Sequence, residues 1–181
     1  SPASSDLMDA RGSSGSITAH ARTGQIITFA LAQGVILIGA VMVYLSLSGP
    51  AGAAPGDDEL ILTGVGVAMA ICCWIAALIV PSTMRRKAAD QLLQATQQAG
   101  HRMDIESIPA SAVERFLVAS QAATLVGQGV LEGAAVANLI LMFVDGNWIH
   151  LPLAVICLIG IVFQVPTTGK LQEALESAIR T

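Results

Sequence analysis

The sequence predicts an all-α integral membrane protein: a bundle of four transmembrane helices, compatible with two tandem helical hairpins, with both termini in the cytoplasm. Three observations predict it. Only 22 of 181 residues are charged, about half the density usual for a soluble domain. The deficit is local, because the stretches 25–48, 60–80, 116–144 and 148–165 together hold 92 residues and one charge, Glu132. All nine Lys and Arg residues fall in segments on one side of those stretches, and positive charge beside a span is retained on the cytoplasmic face.

The segment 1–22 is rich in Ser, Gly and Ala. It has no apolar h-region and reads as a flexible polar segment, neither a signal peptide nor a folded unit. The spans follow in a transmembrane domain 23–166. Each is about as long as a helix needs to cross a hydrocarbon core of about 30 Å at ~1.5 Å per residue. Helix is the form available to them, since lipid offers no partner for backbone amides and the apolar runs lack the alternation of a barrel. The fourth is the shortest and carries His150 and Pro152 near its first turn, where proline is tolerated.

Between the second and third spans lies a cytoplasmic helical loop, 82–112. Its run MRRKAADQLLQATQQAG combines helix formers with basic residues next to the membrane, and Gly100 stands as a stop. Ser111 and Glu114 form a capping box that predicts a third helix beginning near Ala112. The tail 167–181 predicts an amphipathic helix with Leu171, Leu175, Ala178 and Ile179 on one face, lying against the membrane or the neighbouring cytoplasmic segment. The far-side connections, around Asp57, Asp58 and Glu59 and at Asp145, carry only acids. Arg11, Arg22, Arg85, Arg86, Lys87, Arg102, Arg115, Lys170 and Arg180 thus predict both ends inside, in a membrane such as the bacterial inner membrane. A weak internal echo, AQGV at 32–35 with GQGV at 127–130 and VPST at 80–83 with VPTT at 165–168, is what suggests tandem hairpins.

The chemistry is concentrated in the third span. An ionised carboxylate at mid-membrane costs at least ~2.5 kcal/mol, so such residues face a bundle interior or a polar path. Gln121, Thr124, Gln128 and Glu132 fall within about 80° of one another on the helix surface and form a polar lane from the cytoplasmic end to Glu132. Beside it, Gly129, Gly133 and Ala137 repeat a small residue every fourth position, the spacing that lets membrane helices approach closely. Two readings of this constellation stay open. In one, Glu132 binds and releases a proton or cation supplied along the lane, with Gln33 as its partner from the first span. In the other it is a neutral acid hydrogen-bonded to Gln33 or Gln128 that holds helix register.

The stretch LVGQGVLEGAAVANLILMF, 125–143, resembles the ion-binding helix of the proteolipid (c) subunits of rotary ATPases. There, small residues precede a mid-helix carboxylate and aliphatic residues follow it. TGVGVAMAI in the second span is similar to a shortened form of that family's glycine-rich first helix. The resemblance implies an ion-binding role for Glu132, and Gly133, with no hydroxyl to coordinate sodium, implies a proton rather than sodium. The loop 82–112 is longer than the family's tight turn and lacks its Arg-Gln-Pro type signature. The chain also resembles small four-helix bacterial membrane proteins of unassigned role with a comparable acid-glycine helix.

Other classes fit less well. Small multidrug exporters also pair four helices with a membrane glutamate, but they need aromatic surfaces for cationic drugs, and only seven aromatic residues are present. An enzyme would need a second catalytic group, and His150, Cys72, Cys73 and Cys157 form no nucleophile-base set. No metal-ligand spacing and no cofactor motif occurs. Tyr44 and Trp148 sit near span ends as interface anchors. The Arg85, Arg86, Lys87 cluster is explained by anionic lipid without nucleic acid. The expected function is that of a structural or accessory membrane subunit that forms homo-oligomers or joins a larger complex, with proton translocation at Glu132 as the alternative.

Overall fold

The computed structural model describes residues 3–48, 59–98 and 110–180. The described chain is all-helical apart from its connecting turns, with five helices: α1 (Ala3–Ser48), α2 (Glu59–Gln98), α3 (Ala110–Asp145), α4 (His150–Phe163) and α5 (Thr168–Arg180). No strand occurs among the described residues. Asp57, Asp58, Gly100 and Arg102 lie outside them.

Three helices carry apolar stretches long enough to cross a membrane, and α4 with α5 makes a fourth if that pair, bent by 67°, counts as one span. The apolar sequences dictate this much, since among the described residues 28 large hydrophobic side chains are left exposed, including Phe29, Leu37, Leu60, Leu78 and Phe163. Such a surface requires lipid or protein to cover it. Within their most apolar windows 11% of α1 and 17% of α2 are buried but 44% of α3. α3 is therefore the most buried of these three helices.

The chain divides into two compact units. One comprises 1–26, 80–125 and 166–181; the other comprises 27–79 and 126–165. The first has a core in which Ile17 and Ala21 of α1, Ala88 and Leu92 of α2, Phe116 and Leu117 of α3, and Leu171, Leu175 and Ala178 of α5 are buried together. The second, apolar unit buries Val35 of α1, Ala70 and Ala77 of α2, Leu131, Ala134, Ala135 and Leu139 of α3, and Ala154, Cys157 and Ile161 of α4. Small residues recur in that second core because helices without a hydrophobic driving force between them gain by close van der Waals approach.

Several elements differ from their sequence expectation. Where composition predicts a flexible segment 1–22, α1 runs back to Ala3, and burial of Ile17 and Ala21 supplies the apolar stripe that overrides the polar composition. α2 continues unbroken through Pro81, joining the second span to the helical loop; there the Thr83 hydroxyl donates to Val80 O at 2.8 Å. α3 starts at Ala110, two residues ahead of the start the capping box predicts, a normal scatter at helix ends. The fourth apolar stretch forms a helix of only 14 residues. Its end is set by Pro166, which disfavours α geometry at Val165, and by Thr167, whose Oγ1 accepts the Lys170 amide at 3.3 Å and so caps α5. The two similar motifs VPST and VPTT thus have opposite outcomes, continuation in one and a break in the other. Beside the break, α1 approaches so closely that a Cβ on Gly24 would stand 2.5 Å from Pro166 Cγ.

Candidate functional site

The apolar unit contains two polar constellations. The first surrounds the predicted carboxylate. Gln128 is fully buried; its Nε2 donates to Thr28 Oγ1 on α1 at 2.8 Å, while its Oε1 has no partner among the described residues. Glu132, one turn further along α3, is half-buried. Its Oε1 lies 3.9 Å from the place a Cβ on Gly34 would occupy, so the carboxylate lies against α1 where that helix has no side chain. Gln33, the expected partner, is exposed, and Thr28 takes the hydrogen bond from Gln128 instead. Of the small-residue stripe, Gly129 and Gly133 are exposed with nothing within 4 Å of an added Cβ, and Ala137 is half-buried.

In the other unit, Gln121 is half-buried and Thr124 is buried. The Thr124 hydroxyl donates to Ser120 O at 3.1 Å and accepts from Arg85 Nη2 at 2.9 Å. Both of its hydrogen-bonding capacities are used within that unit.

The second constellation of the apolar unit sits at the turn from α3 to α4. α3 ends because Gly146 adopts φ 69°, the left-handed geometry that glycine takes without steric cost. Asp145 Oδ1 accepts the Asn147 amide at 2.8 Å, and Asn147 Oδ1 accepts the Ile149 amide at 3.0 Å, starting α4. Asn147 Nδ2 reaches across to Thr63 Oγ1 on α2 at 3.0 Å. His150 has no exposed surface. Its Nε2 stands 2.9 Å from Asp145 Oδ2 and its Nδ1 3.1 Å from Asn138 Oδ1. Asn138 Nδ2 in turn donates to Ala134 O at 3.0 Å and Gly66 O at 3.5 Å. The ring fits because α2 presents Gly66: an added Cβ would lie 2.6 Å from His150 Nδ1 and 2.8 Å from Asn138 Oδ1.

In the sequence His150 reads only as a residue near the first turn of the fourth span, and Asn138 is not singled out. A signal was present: Asn138 and Asp145, seven residues apart, share a helix face, and a five-residue turn returns His150 to it.

Among the described residues no group of three or more His, Cys, Asp or Glu side chains is placed to hold a metal ion. The class defined by fold and site is thus an all-helical protein with three to four helices apolar and long enough to span a membrane, carrying a carboxylate on the most buried of the three long ones. No family, curated protein or solved structure matches this chain.

Proposed function

We propose that this chain is a small multi-pass membrane protein acting as a structural or accessory subunit, which self-associates or joins a larger membrane complex through the small-residue face of α3. The observation that carries this reading is that Gly129 and Gly133 leave open space on the most buried helix. The chain's own packing does not use the close approach those glycines permit. The charge partition supports a membrane such as the bacterial inner membrane with both termini inside. Among the described residues all eight Lys and Arg belong to the unit 1–26, 80–125 and 166–181, while the apolar unit holds Glu59, Glu132 and Asp145 and no Lys or Arg. The test is the mass of the protein–detergent particle, with in-membrane cross-linking, for wild type and Gly133→Leu. A Cβ added there meets nothing within 4 Å among the described residues, so the substitution is expected to keep the helix and lower association. An unchanged oligomer mass overturns the reading.

A second reading, proton exchange at Glu132 with Gln128, Thr124, Gln121 and Gln33 as access and partner groups, is favoured by one observation. Gln128 Oε1 is a buried acceptor without a partner, one turn from the carboxylate on the same helix face. A buried acceptor left unmade costs about 1–3 kcal/mol, a cost relieved when a proton donor or cation arrives. Hydrophobic carbodiimide at neutral pH labels Glu132 on this reading, and the labelling disappears in Glu132→Gln. Absence of label at any pH removes it.

A further inference from the structure

We propose that the α3–α4 turn is a proton-binding site, in which Asp145 and His150 together hold one dissociable proton beyond the imidazole's own. It is separate from Glu132, which lies 13 residues, or about 20 Å, back along α3, and it is independent of the function assigned to that residue.

The argument is a count of hydrogens. Asn138 donates both available contacts of its Nδ2 to carbonyls, Ala134 O and Gly66 O. Turning the amide over would aim its oxygen at those same two carbonyl oxygens. Its Oδ1 therefore faces His150 as an acceptor, and Nδ1, 3.1 Å away, must carry hydrogen. The second ring nitrogen, Nε2, is 2.9 Å from a carboxylate oxygen. A hydrogen is required on that line too, because an ionised carboxylate and a bare imidazole nitrogen are both acceptors. It resides either on Nε2, giving imidazolium with carboxylate, or on Oδ2, giving carboxylic acid with neutral imidazole. In both forms the pair carries one proton more than neutral histidine with ionised aspartate.

The groups around the ring admit no substitute for that proton. From α2 the ring meets the backbone at Gly66; from α3 it meets Asn138 and Asp145. The apolar unit has no Lys or Arg in its sequence, so no cation of its own balances Asp145 in place of the proton. Losing it to water leaves two acceptors facing one another at 2.9 Å or 3.1 Å, and His150 or Asn138 must turn away. Because the same Asp145 also holds the Asn147 amide, proton loss loosens the turn that joins α3 to α4.

The test uses the full chain in lipid nanodiscs with 15N-labelled histidine rings. The chain has three histidines, and the signals of His150 are assigned by their absence in His150→Gln. At pH 7 the expected spectrum shows His150 with both ring nitrogens protonated. Equally supportive is a single Nδ1–H with a protonated-carboxyl infrared band that vanishes in Asp145→Asn. Raising the pH then releases one proton per chain from the wild type, and this release is absent in Asp145→Asn. A neutral ring beside an ionised Asp145 at pH 7 overturns the proposal. The signals of His20 and His101, assigned by their absence in His20→Gln and His101→Gln, leave the third set as that of His150, so misfolding of His150→Gln or Asp145→Asn leaves the ring state readable.

Discussion

At the scale of single residues, Gln128 shows how a half-satisfied side chain differs from an absent one. Its amide hydrogen bonds to Thr28 while its carbonyl oxygen has no partner in a fully buried position. Thr28→Val removes the remaining acceptor and leaves a second buried polar atom of Gln128 unmade, which costs about 1–3 kcal/mol. Gln128→Leu removes both polar atoms together, and Thr28 keeps a further interaction, so stability changes by less than about 1 kcal/mol. Thermal unfolding in detergent measures both variants, and the inequality is the expectation: Thr28→Val melts lower than Gln128→Leu. The reverse order would mean that Gln128 Oε1 is satisfied in the membrane.

At the scale of elements, what was legible follows from what kind of signal each helix carries. α5 was readable because Leu171, Leu175 and Ala178 recur at helical spacing in a short polar stretch, and these side chains are the ones buried in its unit. The apolar runs of α1, α2 and α3 were readable from hydropathy. The continuation of α1 to Ala3 was not, because Ser and Gly composition masks the two apolar anchors Ile17 and Ala21. Nor was the passage of α2 through Pro81, since proline ordinarily ends a helix in water and tertiary support for it is invisible in one sequence. The carboxylate Glu132 stood out as the lone charge of its span, whereas the Asp145, His150 and Asn138 cluster is assembled by a turn and a glycine on another helix. Because Leu175 is buried in the core that α5 shares with its unit, Leu175→Ala should cost about 2–5 kcal/mol of local stability. Hydrogen exchange reads this as faster exchange across Thr168–Arg180, with α4 amides unchanged. Equal acceleration in both helices would show that α5 does not open by itself.

At the scale of the whole molecule, charge and packing divide the chain at the same places. Among the described residues the apolar unit has the exposed hydrophobic surface of α2 and α4 and no Lys or Arg, and the other unit holds all eight Lys and Arg. On the proposed orientation those two properties have different physical origins, one in burial against lipid and one in retention of cations on the cytoplasmic side. Their coincidence makes the orientation testable. In a background with Cys72, Cys73 and Cys157 replaced, Trp148→Cys, exposed beside the α3–α4 turn, should react with a membrane-impermeant maleimide added to intact spheroplasts. Gly169→Cys, at the exposed start of α5, should react only after permeabilisation. Replacing Arg85, Arg86 and Lys87 with Gln removes three of nine positive charges, and the inward bias weakens accordingly. A fraction of molecules should then show the reversed labelling. If Gly169→Cys reacts from outside in the otherwise native chain, the basic residues do not set the orientation.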